Sequence, residues 1–198
     1  WFFEIGYSEI VFADKAILYE GDTERLLIKK LLTLPKYKKL SQQYIAFIQV
    51  GGAYAYNYRN LIELLKIKTL IITDLDYDKE YIDAEEIKKS QITNTTIKNF
   101  YNESDTENPD VEQLYKWKDD GGNIFDDGLI YVAFQTANDG YARTLEEAML
   151  GKYFGFNVAM KLKRSDWHKK KEGSKLKFSV PRNKNGERDS EFSLRDIL

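Results

Sequence analysis

The chain of 198 residues has no cysteine and a single histidine, His168. The first absence removes disulfides, thiolate metal centres and cysteine nucleophiles. The second rules out a multi-histidine zinc site. Any metal bound here must be held by oxygens, which favours Mg²⁺ or Mn²⁺. No apolar run reaches membrane-spanning length, so a soluble chain with no membrane partner is expected. Residue 1 is Trp1 rather than methionine, and nothing near it resembles a signal peptide. The expectation is a piece of a longer protein, or a chain with a processed start, with a cytoplasmic home.

The chain is 42% hydrophobic and 14% aromatic, which is enough apolar material for a sizeable core and argues against global disorder. Its length suits one domain, or one domain with an appendage. The formal charge of −2 hides an asymmetry. Residues 161–198 carry 12 basic and 6 acidic residues, net +6; subtracted from the totals of 30 and 32, this leaves 18 and 26, net −8, for residues 1–160. The expected organisation is an acidic catalytic body over 1–160, with its core at about 12–160, and a basic extension over 161–198. A basic extension beside an acidic metal site suits contact with phosphate backbones. A solvated lysine-rich tail is the plainer reading of the same residues.

The chain is organised around Thr69-Leu-Ile-Ile-Thr-Asp-Leu-Asp-Tyr-Asp78. An apolar run of this length ending in a polar turn reads as a strand buried on both faces of a parallel sheet. Ligands of open α/β sheets gather at the carboxyl ends of such strands. Asp74 and Asp76 would sit there with their side chains on one side, and two carboxylates so close repel unless a cation lies between them. A hard divalent metal is the simplest occupant.

The remaining spacing gives an α/β chain. Residues 16–19 read as a strand, and 23–34 as a helix with Leu26, Leu27, Leu31 and Leu34 on its apolar side, closed by Pro35. Residues 44–50 form a second strand ended by Gly51-Gly52. A helix over 56–65 follows, with Leu61, Ile62, Leu64 and Leu65 inward, and then the 69–73 strand. A β-α-β-α-β order with short connections implies a central parallel sheet with right-handed crossovers, flanked by helices. Further on, 83–89 is a short helix, 93–109 a long polar loop or insertion, 110–117 a helix capped by Asp110, 129–135 a strand and 144–154 a helix.

Glu20 ends the first strand, and Glu24 lies one helical turn later. Strand ends one and three can be neighbours in a doubly wound sheet, so Glu20, Glu24, Asp74 and Asp76 converge on one crevice. Four carboxylates suit one or two ions, and paired metals are a recurrent device for phosphodiester cleavage. Gly21 is expected to permit the tight turn that carries Glu20 into the site.

Glu20-Gly-Asp-Thr-Glu24, followed by Gly51-Gly52 and Asp74-Leu-Asp76, resembles a Toprim domain over roughly residues 12–160. With Ala142-Arg-Thr-Leu-Glu-Glu147 it is most similar to the OLD-family ATP-dependent endonucleases. The resemblance implies a Rossmann-like Toprim fold and DNA cleavage with divalent metal. It also implies an ATPase domain outside this chain, which has no Walker motif, so that ATP enters only through that domain. A homo-oligomer in the full-length form is expected, with anti-phage defence as a setting. It further implies Glu20, Glu24, Asp74, Asp76 and one of Glu146 and Glu147 as metal ligands. A late lysine that stabilises transition-state charge would be Lys175 or Lys177, or a counterpart beyond Leu198.

Each signal has a plainer competitor. Asp74 and Asp76 can cap a strand-to-helix turn, Glu24 can be a dipole-stabilised helix residue, and Glu146 and Glu147 can be a first-turn pair behind an N-cap Thr144. A strand ending in Asp-x-Asp also opens haloacid-dehalogenase-type phosphatases, with Asp74 as nucleophile, but that reading leaves Glu20 idle. A non-catalytic DNA-binding or assembly module is the third reading.

Overall fold

A computed structural model describes residues 8–51, 54–78, 83–103, 108–155, 162–163 and 191–192. Its centre is a sheet of five strands: β1 (Lys15–Tyr19), β2 (Ile45–Gln49), β3 (Lys68–Ile72), β4 (Ile124–Phe125) and β5 (Ile130–Ala133). They lie in the order β2-β1-β3-β5-β4. β1, β2, β3 and β5 are parallel, and β4 closes the edge antiparallel to β5. The helices are α1 (Asp22–Leu32), α2 (Lys38–Ser41), α3 (Arg59–Leu65), α4 (Ala84–Lys89), α5 (Thr95–Tyr101), α6 (Val111–Asp119) and α7 (Leu145–Phe154). This is the central parallel sheet flanked by helices that the spacing predicts, and the Rossmann-like α/β fold that the resemblance implies.

Strand alternation sorts the side chains into two layers. Ala16 and Leu18 of β1, Ala46 and Ile48 of β2, Ile71 of β3, and Ile130 and Val132 of β5 face one way. They form the main core with Ile62, Ile87, Ile97, Phe100, Val111 and Leu114 from α3 to α6. Ile17, Ile45, Phe47, Leu70 and Ile72 face the other way against Ile28 and Leu32 of α1 and Leu40 of α2. This second layer is thinner. Leu70 and Ile72 are only half-buried and Tyr131 is exposed, so β3 is fully covered on one face rather than two.

Three expectations change. Residues 93–109 are not a continuous loop, because α5 forms inside them with Thr96, Ile97, Phe100 and Tyr101 all buried. Asn94 caps that helix by accepting Ile97 N–H at 3.0 Å, and the spacing of Ile97, Phe100 and Tyr101 makes one apolar face amid polar neighbours. Helix α1 stops at Leu32, and Pro35 starts a 3₁₀ turn over Pro35–Tyr37 instead of closing the helix. Leu26 and Leu64 point to solvent, since Ile28 and Ile62 take the inward positions of their helices, and Leu34, past the end of α1, is exposed as well. A short antiparallel pair, β6 (Leu162–Lys163) with β7 (Glu191–Phe192), is all that is described of the basic extension.

Candidate metal centre

β1 and β3 are direct neighbours, with Leu18 opposite Ile71. Glu20 and Thr73 each lie two residues beyond that pair, so the first acidic strand end meets the third. The Thr73 hydroxyl donates to Glu20 Oε1. The Asp74 N–H reaches the same oxygen at 3.3 Å, and Asn94 Nδ2 at 3.2 Å. Asn94 Nδ2 also lies 2.8 Å from Thr73 Oγ1. Three donors thus hold one oxygen of Glu20, while Oε2 takes no hydrogen bond from the described residues.

Asp74 is built in the same way. Its Oδ1 accepts from Gln135 Nε2 at 2.9 Å and from Leu145 N–H, in the first turn of α7, at 2.9 Å. Gln135 Oε1 in turn accepts Leu75 N–H at 2.8 Å, so one buried amide fixes the turn twice. Burial, followed by the nearby charges of Glu20 and Asp76, outweighs these hydrogen bonds and pushes the Asp74 carboxyl up to about 7. Burial also raises Glu20, against the hydrogen bonds from Thr73, Asp74 and Asn94.

Asp76 sits in left-handed backbone, φ 49°. Its Oδ1 pairs with Arg143 Nη2 at 3.1 Å, and its N–H donates to the Arg143 carbonyl at 3.2 Å. The Tyr77 hydroxyl donates to the carbonyl of Tyr141, another residue with positive φ, 58°. The acidic turn and the segment entering α7 are therefore joined along their length.

The other acids lie differently. Glu24 is buried and folds back to accept Gly21 N–H at 2.9 Å, closing the N-terminus of α1. Gly21 has extended backbone, φ −139°, and an added Cβ would lie 3.4 Å from Glu24 Oε2. The expected need for glycine's conformational freedom at that turn is therefore not met. Thr144 does cap α7, accepting Glu147 N–H at 3.3 Å, and buried Glu147 accepts Arg143 N–H at 2.8 Å. Glu146 is half-buried and takes no hydrogen bond from the described residues. Lys175, Lys177, His168 and Gly52 lie outside the described residues.

Among the described residues, no three acidic or histidine side chains are gathered closely enough to hold one ion. The donor chemistry nevertheless fits a hard divalent cation. Glu20 and Asp74 are mutually repelling carboxylates, each with one oxygen fixed and the other left open. Sequence reasoning missed Asn94, Gln135 and Thr73 as partners of these acids. Asn94 carried a usable signal, an Asn just before the apolar spacing of α5. Gln135 carried none, since only the sheet order brings β5 beside β3.

Residues 11–76 match the family described as "Overcoming lysogenization defect protein-like, TOPRIM domain". Residues 11–76 form an OLD-like Toprim domain. It is 32% identical over 150 residues to the endonuclease GajA of Bacillus cereus (strain HuB5-5), a match over 72% of this chain. The chain thus spans about one fifth of that relative's length, the match covering 20% of it. Glu20, Glu24, Asp74 and Asp76 all fall within the family match, whereas Arg143 and Glu146 lie beyond it. Among the described residues no helix is long and apolar enough to cross a membrane.

Proposed function

We propose that this chain is the nuclease portion of a DNA endonuclease that hydrolyses phosphodiester bonds with Mg²⁺ or Mn²⁺. The observation that carries the reading is the meeting of Glu20 and Asp74 at adjacent strand ends, each with one open carboxylate oxygen, in an OLD-like Toprim domain. A bound pair of divalent ions supplies a nucleophilic water at neutral pH and neutralises charge on the leaving oxygen. The protein's part is positional. Thr73 and Asn94 fix Glu20, and Gln135 with the α7 N-terminus fixes Asp74. Asp76 is the third ligand in this reading. Glu146 is preferred to Glu147 as the ligand from α7, because Glu147 already serves the Arg143 amide. Glu24 ranks below the strand-end acids, since its carboxylate closes the α1 N-terminus. Lys175 or Lys177, or a lysine beyond Leu198, supplies transition-state charge in this reading.

DNA as partner is supported by a bank of exposed lysines on the α1–α2 side. Lys29, Lys30, Lys36, Lys38 and Lys39 lie in a stretch with no acidic residue between Glu24 and Glu63. None of the five pairs with a described carboxylate. Helix α1 starts beside Glu20 and runs about 16 Å to this bank, a reach that suits contact with phosphates about half a duplex turn from the cut. An ATPase domain of the same protein, homo-oligomerisation, a cytoplasmic location and an anti-phage setting complete the reading, and these rest on the family.

Nicking of supercoiled plasmid in Mn²⁺ or Mg²⁺ tests the proposal, with wild type compared with Glu20→Gln. Gln keeps the oxygen that accepts from Thr73, Asp74 and Asn94, so the fold should survive while cutting is lost. Equal cutting by both proteins would remove Glu20 from the chemistry. A wild type that binds DNA but never cuts, even joined to its ATPase domain, would favour the assembly module.

A further inference from the structure

Of the three strand-end carboxylates, Asp76 alone is already paired with a cation among the described residues. Arg143 Nη2 lies 3.1 Å from its Oδ1, with side-chain exposures of 25% and 28%. The Arg143 backbone is fixed at both ends, its N–H to Glu147 Oε2 at 2.8 Å and its carbonyl to Asp76 N–H at 3.2 Å. Its side chain is not saturated, because Nε is buried with no hydrogen-bond partner among the described residues. A guanidinium on an anchored backbone, with an unsatisfied buried donor, holds Asp76 where an ion would need it.

We propose that Arg143 is the built-in counter-ion of the metal-free site. It occupies Asp76 until a divalent cation takes that carboxylate, and the released guanidinium then binds a phosphate of the DNA. The inference rests on the metal-dependent reading above. A divalent ion and a guanidinium on the same half-buried carboxylate repel each other, so the incoming ion weakens the hold of the arginine and favours its release. Glu20 and Asp74 are held by hydrogen bonds from uncharged groups, whereas Asp76 alone is held by a cation. The freed fork matches phosphate geometry bidentately, and phosphate contact gives Nε the partner it lacks.

The test is Mn²⁺ affinity, read by electron paramagnetic resonance without DNA, together with the plasmid-cleavage rate, in the same chain carrying Arg143→Gln. Removing the competitor should tighten Mn²⁺ binding roughly threefold to tenfold. Removing the phosphate contact should slow cleavage by about tenfold or more. Arg143→Lys should fall between Gln and wild type in both readouts. The two changes run in opposite directions, which a merely structural arginine would not produce, since loosening the site weakens both. Mn²⁺ affinity that is unchanged or weaker in folded Arg143→Gln overturns the proposal. Should that variant fail to fold, Arg143→Lys decides the matter, and no gain in Mn²⁺ affinity over wild type overturns it equally. A wild type that binds Mn²⁺ no better than Glu20→Gln is a separate result, one that brings down the underlying metal reading.

Discussion

Asn94 ties Glu20 to helix α5 through the two ends of one buried amide, with Nδ2 donating to Glu20 Oε1 at 3.2 Å and Oδ1 accepting Ile97 N–H at 3.0 Å. Asn94→Ala removes a helix cap worth about 1 kcal/mol and leaves buried partners unpaired, for a total cost of about 2–3 kcal/mol. The melting temperature should fall by roughly 4–12 °C. Asn94→Ser retains a capping oxygen and should cost less stability, yet lose as much cleavage, because neither variant reaches Glu20. Thermal melts and plasmid nicking on the two variants check this. A Ser variant with full activity would show that Asn94 serves only the helix.

The carboxyl of Asp74 makes the metal-free protein sensitive to pH. A group whose pKa rises on folding, here from an ordinary 3.8 to about 7, holds its proton more tightly in the native state. Its stabilising effect is full below about pH 4 and is lost as the pH climbs through 7. Glu20 is shifted in the same direction. With solvent screening at a half-buried site, the loss should be about 1–2 kcal/mol between pH 4 and pH 8. Asp74→Asn keeps the acceptor for Gln135 and Leu145 and should flatten that decline. Denaturant melts in EDTA across this range measure it; equal slopes for the two proteins would contradict the assignment.

Gln135 braces Asp74 and the Leu75 amide together. Gln135→Leu fills similar space but leaves a buried N–H unsatisfied, at a cost of about 1–3 kcal/mol. Because the lost donor leaves the Asp74 carboxylate less well fixed, Mn²⁺ affinity should fall along with stability. Calorimetric titration after confirming the fold would show it. Unchanged affinity would mean that Leu145 alone orients Asp74.

The lysine bank should act through salt. Replacing Lys36, Lys38 and Lys39 with Gln should weaken DNA binding in EDTA and reduce the slope of log affinity against log salt by about one per lost contact, up to roughly three. All three side chains are exposed, so stability should stay within about 0.5 kcal/mol. An unaltered salt slope would place the duplex elsewhere on the chain.

The sheet was legible because β1, β2 and β3 are short apolar runs closed by turns, and the acids that follow β1 and β3 fall at the strand ends. What escaped has physical causes. Helix α5 was hidden by the Thr, Asn and Lys residues on its outer side, although Asn94, Ile97, Phe100 and Tyr101 carry its cap and inward face. Leu26 and Leu64 misled because two or three apolar residues compete for each inward position and only packing decides between them. The partners of the acids were invisible for another reason. Gln135 is 61 residues from Asp74, and Arg143 is 67 from Asp76, contacts that exist only once β5 lies beside β3.

Joint hold of a divalent cation by Glu20 and Asp74 is tested most directly by Mn²⁺ binding to wild type and to the paired substitution Glu20→Gln with Asp74→Asn. Both replacements retain the oxygens that accept the structural hydrogen bonds, so circular dichroism and melting should report a folded protein of equal or higher stability without metal. Wild type should bind Mn²⁺ while the paired variant shows at least a hundredfold loss (about 2.7 kcal/mol or more). Retention of wild-type affinity by the folded variant would contradict the account and move the metal away from these strand ends.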